Sequence, residues 1–319
     1  MSEPILSIRD LRVDYVTDRG PVRAIDGVSL EVRKGEILGV AGESGSGKTT
    51  LAKALLRILP PPAIITGGEA YFEGRNLFAL AEPELRSLRW ERISMVFQSA
   101  MDALNPVITV GEQIVDTLLA HDAMPPRAAR TRARDLLEML GIHGDCVDSY
   151  THQLSGGMRQ RVGIALALAL EPSLVILDEP TTALDVIVEK EILEQIGDLQ
   201  QRLDFSVLFI THDLARMLQF SDRVAVFYAA RMVELAPAED LRRAPLHPYT
   251  QRLLRAVPSI RRGKGKQESI AGAPPSLLDP PAGCRFHPRC DRAVDICRER
   301  APELKQLAPD HLAACHLAE

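Results

Sequence analysis

Five short, largely apolar runs mark the chain, at 37–41, 93–97, 174–177, 207–210 and 224–227, and each gives way to polar or turn residues. Apolar runs of this length suit strands buried on both faces, as in a parallel sheet. Stretches with helical spacing separate them. This alternation predicts an α/β fold with a largely parallel sheet over the first 260 residues. Polar and charged residues gather just beyond the C-terminal ends of the runs, where open α/β sheets place their ligands. Between Gln98 and Leu154 the pattern changes to helices, at 110–119 and 127–140, with no buried strand between them. That stretch reads as a helical subdomain of about residues 99–157. No internal repeat interrupts the pattern.

After Ser259 the patterning stops. A basic segment, RRGKGKQE, leads into a proline-rich one, APPSLLDPPAG, and then into a tail with four cysteines. Such composition describes an exposed connection without a core of its own. The expected organisation is therefore a domain of residues 1–260 and an extension of 261–319. With 319 residues, 46% apolar and 25% charged, the chain is long enough for one large domain plus an appendage. A net charge of −5 and a pI near 6.0 carry no basic footprint for nucleic acid. The N-terminus, MSEPILSIRD, lacks the basic and apolar stretches of a secretory signal. The longest apolar run, Val162 to Leu170, is far short of the roughly 20 residues that cross a bilayer. If the protein serves a membrane, another chain does the spanning.

The first run leads straight into Gly42, Glu43, Ser44, Gly45, Ser46, Gly47, Lys48 and Thr49, which fit G-x-x-x-x-G-K-[ST] between a strand and the helical stretch TTLAKALLRIL. Glycines let the backbone wrap phosphates closely, and amides at the helix start point at anionic oxygens. Lys48 adds a point charge, Thr49 offers a hydroxyl to Mg²⁺, and the nucleotide-binding set extends through Thr50. The loop by itself indicates a nucleoside triphosphate and leaves open which reaction follows.

The run at 174–177 ends in Asp178 and Glu179. A carboxylate pair at a strand end beyond a phosphate loop divides naturally into roles, one acid reaching the Mg²⁺ shell and the other orienting or deprotonating water. Upstream stands Leu154-Ser155-Gly156-Gly157-Met158-Arg159-Gln160-Arg161, directly before the helical run VGIALALALE. A serine and two glycines at a helix start form a second anion site, with exposed amides and the positive end of the helix dipole.

This last segment resembles the signature motif of ABC ATPases, a phosphate-loop (P-loop) NTPase family. Gln98, Asp185 in TTALD and His212 in FITHD resemble the family's Q-loop, D-loop and H-loop, in the family's order. The resemblance implies an ABC-type nucleotide-binding domain with a helical subdomain, and two such domains pairing head to tail. Ser155, Gly156 and Gly157 of one chain would then meet the γ-phosphate on the other. It further implies catalytic roles for Glu179 and His212, Mg²⁺ contacts from Thr49, Gln98 and Asp178, a nucleotide-site role for Asp185, and adenine stacking on Tyr15. Met158 stands where the family's commonest signature has glutamine. That methionine form, together with ALNPVITVGEQI, LHPYTQRLL and PPSLLDPPAGCRFHPRC, resembles the oligopeptide and dipeptide importers.

For that branch the resemblance implies ATP-driven peptide import and several partners: a second nucleotide-binding subunit, two transmembrane permease subunits and an extracytoplasmic substrate-binding protein. The chain itself would lie peripherally on the cytoplasmic face of the cell (inner) membrane. His247, Pro248 and Tyr249 are family markers to which the sequence assigns no chemistry. Cys284, Cys290, Cys297 and Cys315 are spaced by five, six and seventeen residues, wider than usual zinc modules. Four thiolates suit a [4Fe–4S] cluster, as the resemblance implies, with zinc and free thiols as the alternatives. Cys146 stands apart.

Overall fold

The computed structural model describes residues 3–98, 103–121, 124–182, 184–256 and 270–318. The boundary expected at residue 260, the basic segment after it and the first residues of the expected helical subdomain lie outside these. The chain folds into two compact units, each drawn from separated stretches. One comprises 4–32, 37–78 and 209–319 and carries the phosphate loop; the other comprises 1–3, 33–36 and 79–208.

The phosphate-loop unit begins with two long strands, β1 (Pro4–Thr17) and β2 (Gly20–Arg33), followed by β3 (Ile37–Gly42), helix α1 (Lys48–Leu55), β4 (Ala63–Phe72) and the short β5 (Arg75–Asn76). β1, β2, β4 and β5 form a sheet in the order β2-β1-β4-β5, with Leu6 of β1 opposite Phe72 of β4 and Tyr15 opposite Ala63. β2 alternates buried and exposed positions from Val28 to Val32, whereas β1 buries Ile5 to Ile8 on both faces and then mixes in exposed charged residues, so neither carries a long apolar run. β3 is buried at every position.

The other unit contains α2 (Glu82–Leu88), β6 (Ile93–Val96), α3 (Val110–His121), α4 (Pro126–Met139), α5 (Gly156–Leu168), β7 (Leu174–Asp178) and α6 (Val186–Leu203). β6 and β7 pair in parallel, from Ile93 with Leu174 to Val96 with Leu177. α3 and α4 pack on each other, and α5 packs on both. The helices expected at 110–119 and 127–140 are these two. α5 starts at the signature glycines, with Ser155 as its cap, as a serine and two glycines at a helix start predict.

β8 (Ser206–Ile210) runs across the boundary, and the chain returns to the phosphate-loop unit with α7 (Leu214–Phe220), β9 (Arg223–Tyr228), β10 (Arg231–Pro237), α8 (Ala238–Arg243), α9 (Pro248–Ala256), α10 (Asp295–Glu299), β11 (Lys305–Ala308) and β12 (His311–Ala313). β3 and β9 pair in parallel, Leu38 with Arg223 through Gly42 with Phe227. β10 lies antiparallel to β9 and accepts β12 on its other edge, and β11 pairs with β12. All five strands expected from apolar runs are present within a residue of their expected ends. The tail is no free appendage: two of its strands extend the sheet that begins at the phosphate-loop strand. Among the described residues, no helix is long and apolar enough to cross a membrane.

Candidate functional site: a phosphate loop, a carboxylate pair and a capped helix

The phosphate loop leaves β3 at Gly42 and enters α1 at Lys48. Two of its glycines are required sterically. Gly42 sits at φ +152° where a Cβ would come within 2.3 Å of the Phe227 carbonyl oxygen, and Gly47 at φ +104° where it would meet the Ala24 carbonyl oxygen at 2.3 Å. Gly47 is the residue before α1 and offers no side chain to cap it, so the first amides of the helix are presented to the loop. Lys48 is buried, its Nζ donating to the carbonyls of Gly42 at 2.8 Å and Glu43 at 3.0 Å. Ser44 and Gly45 are exposed, Thr49 is half-buried and Thr50 is buried. The buried Ser46 hydroxyl has no hydrogen-bond partner, the kind of group that a ligand satisfies. Tyr15 is brought to the same helix, its hydroxyl 3.4 Å from that of Thr50.

Glu43 and the loop's entry are held by residues the sequence left without chemistry. The Glu43 amide donates to the Tyr249 hydroxyl at 3.0 Å, and its carboxylate takes two bonds from Arg289, at 2.7 and 3.0 Å. Tyr249 is fully buried and its ring packs 4.6 Å from that of Tyr228 and 5.4 Å from that of Phe286. Burial pushes the Tyr249 phenol far above its ordinary range, so it stays protonated. His212 lies in this unit, exposed just after β8 and just before Asp213, which caps α7.

In the other unit the strand β7 ends on the buried Asp178, and Glu179 follows in the left-handed region at φ 47°. A non-glycine residue held there costs of order 1–3 kcal/mol, and such conformations gather at functional sites. The Glu179 Oε2 accepts from Gln98 Nε2 at 2.9 Å and from the Thr182 hydroxyl at 3.1 Å. Gln98 and Glu179 were expected from separate motifs; the fold joins them directly. Thr182 was not anticipated, although it stands inside the TTALD segment.

Ser155 is the exposed residue that opens α5, its hydroxyl accepting from the Met158 amide at 3.3 Å. Gly156 and Gly157 form the first turn, and a Cβ on Gly157 would come within 2.8 Å of Val188 on α6. Asp185 caps α6: its Oδ1 accepts from the amides of Ile187 and Val188, both at 3.0 Å. Beside that cap, Val186 and Ile187 are 69% and 70% exposed, an apolar pair that nothing in this unit covers.

The four tail cysteines are free thiols in the fold, as is Cys146. Cys284 is pushed up to about 11, mainly by burial and further by Cys297, Cys315 and Cys290, so the four lie near enough to feel one another. Burial likewise raises Cys290 and Cys315. Among the described residues no group of three or more His, Cys, Asp or Glu side chains is arranged to hold a metal ion. The expected metal-holding tail is therefore not present as a formed metal-ion site.

Residues 25–182 match the family model described as ABC transporter, and residues 233–297 match that of the oligopeptide/dipeptide transporter C-terminal region. The "Probable peptide ABC transporter ATP-binding protein y4tR" of Sinorhizobium fredii is 44% identical over 98% of this chain and 94% of its own length. The dipeptide transport ATP-binding protein DppD of Bacillus subtilis is 42% identical over 99% of this chain and 96% of its own. Among solved structures, the dimeric post-hydrolysis ATP-binding cassette MJ0796 bound to ADP and Pi is similar with a TM-score of 0.66 and 28% identity, covering 73% of this chain and 98% of that one. The chain belongs to the ATP-binding proteins of ABC transporters. Within them it falls in the group whose C-terminal region defines the oligopeptide/dipeptide transporters.

Proposed function

We propose that this chain binds and hydrolyses ATP to drive an importer of peptides of the dipeptide and oligopeptide class. One observation carries the reading: a single chain holds two separate anion-binding helix starts, α1 behind the phosphate loop and α5 behind Ser155. Two such devices on one chain suit two nucleotides shared between paired subunits, each chain supplying its phosphate loop to one and its signature to the other. The exposed Val186 and Ile187 beside the Asp185 cap are the kind of apolar surface such a partner covers.

In this reading the loop residues 42–50 cradle the phosphates and Tyr15 stacks on the base. Thr49, Gln98 and Asp178 supply the hydroxyl, carboxamide and carboxylate oxygens that suit Mg²⁺, a hard cation that takes oxygen ligands. When bound, that ion would supply neutralisation of the charge that develops on the γ-phosphoryl group. Glu179 accepts the proton of the attacking water. Gln98 and Thr182 fix the direction of its carboxylate, and its strained backbone limits where that carboxylate can reach. His212 holds the transferred phosphoryl group, while Ser155, Gly156 and Gly157 present hydroxyl and amides to a γ-phosphate bound by the partner. The chain works on the cytoplasmic face of the cell membrane with a second nucleotide-binding subunit, two permeases and an extracytoplasmic binding protein.

Co-purification from detergent-solubilised membranes, with the partners identified by mass spectrometry, tests this assignment. Two permeases and a peptide-binding protein are expected; a soluble nucleic-acid or ribosomal complex would overturn it.

The tail cysteines extend the proposal to a [4Fe–4S] cluster on Cys284, Cys290, Cys297 and Cys315. Support comes from the mutual influence of these thiols. Four cysteine thiolates are the ligand set that such clusters take. Anaerobic purification with iron and sulfide analysis decides: four of each per chain are expected, and a colourless, iron-free protein with normal ATPase activity contradicts it.

A further inference from the structure

Glu43 is an awkward residue for its position. It puts a carboxylate at the entry of a loop whose amides and lysine await a polyphosphate, and an uncompensated negative charge there repels that ligand. The fold answers with Arg289, which lies 246 residues further along the chain and whose side chain is 6% exposed. The remaining donors of its guanidinium are also engaged: Nε reaches the Ala271 carbonyl at 3.0 Å, Nη2 the Ile270 carbonyl at 3.4 Å, and Nη1 the Tyr228 hydroxyl at 3.3 Å. A fork held on five acceptors is locked in orientation, so it fixes Glu43 as well as neutralising it.

The same tail segment holds the far side of the loop. Arg285 donates to the Ala229 carbonyl and, at 2.6 Å, to Asp26. Ala229 and Ala230 are both left-handed, at φ 45° and 70°, and the Ala230 amide donates to the Ser46 carbonyl at 3.2 Å. The turn that touches Ser46 is thus braced by one arginine while the loop's entry is braced by the other, with the buried Tyr249 hydroxyl on the Glu43 amide between them.

We propose that Arg289 and Tyr249 are positioning residues for nucleotide binding: the C-terminal region holds the phosphate loop in its binding shape and cancels the charge of Glu43. This deepens the proposed function and rests on the loop being the ATP site. The bonds of Tyr249 and Arg289 to the loop run to Glu43, so they act through it.

Mg·ATP affinity of the full chain, measured by titration calorimetry, tests the inference, with nucleotide-free thermal melts confirming that each variant is folded. Arg289→Ala is expected to weaken ATP roughly tenfold, an unscreened like charge being worth about that much at such a site. Arg289→Lys should recover part of the loss, since the charge returns without the fork. Adding Glu43→Gln to Arg289→Ala should restore affinity to within roughly threefold of the parent, because the repelling charge has gone. A merely structural role predicts no rescue by the second substitution, and that result overturns the proposal. So does an affinity for Arg289→Ala within twofold of the parent. Should Arg289→Ala fail to fold, Tyr249→Phe decides: a several-fold weaker ATP affinity at a parental melting temperature supports the inference, and an unchanged affinity overturns it. If the parent chain itself fails to bind ATP, the assignment of the loop falls instead.

Discussion

Replacing Glu234 by glutamine should loosen the C-terminal region from the rest of its unit and lower stability measurably. Glu234 lies on β10 and is fully buried. Its Oε1 accepts from the Leu246 amide at 2.6 Å and from His311 Nε2 at 2.8 Å, and its Oε2 accepts from the His247 amide at 3.1 Å. One carboxylate therefore joins β10, the start of α9 and β12. Glutamine is nearly the same shape but has one acceptor oxygen, so its NH₂ group must face at least one of these donors. Each lost bond to a charged acceptor is worth about 1.5–3 kcal/mol, and taking a buried carboxylate away from the donors gathered on it typically costs about 3–5 kcal/mol. We expect a loss of about 3–5 kcal/mol in urea unfolding followed by far-UV circular dichroism, with faster proteolysis beyond residue 270 under native conditions. A loss below about 1 kcal/mol would refute the view that this carboxylate fastens the tail.

Two further outcomes follow from the same packing. His247 is almost wholly buried, and burial pushes it down to about 4, with Glu234 pulling the other way. The unfolded chain then binds the proton first, so the contribution of the neutral ring is complete above about pH 6.5 and is lost as pH falls toward 4, by roughly 3 kcal/mol in all. His247→Asn keeps an acceptor for the Tyr249 amide and should flatten the pH dependence of urea stability between pH 7 and 5; an unchanged slope would contradict the assignment. Gly47→Ala forces a Cβ to within 2.3 Å of the Ala24 carbonyl at a left-handed φ, and should abolish measurable ATP binding in calorimetry while the far-UV spectrum stays parental.

How much of this was legible in the sequence depends on how far apart the partners lie. The strands of the parallel pairings announced themselves, because burial on both faces demands the apolar runs at Ile37, Leu174 and Val224 and the run at Ile93 that only Ser94 interrupts. β2 and β4 did not, since the sheet they build leaves part of each strand exposed and their apolar residues alternate with glycine and charge. The phosphate loop, signature and carboxylate pair are local patterns, so their elements and caps followed from a few adjacent residues. The bond between Gln98 and Glu179 joins two such patterns 81 residues apart and needed the fold. Tyr249 and Arg289 lay within segments recognised only as family markers, and their work is done on a residue 206 and 246 positions away. No local periodicity encodes that. The left-handed Glu179 was likewise invisible, because a glutamate carries no conformational signal of the kind a glycine does.

In the proposed function this chain contributes a catalytic carboxylate and a trans-acting signature to a pair of ATP sites. Steady-state ATP hydrolysis by the assembled transporter, compared between the parent and Glu179→Gln, tests it most directly. Turnover should fall by about 10²–10⁴-fold, the usual worth of a general base, while ATP remains bound and the paired form of the subunit accumulates. Turnover equal to the parent's, with no retained ATP, would contradict it.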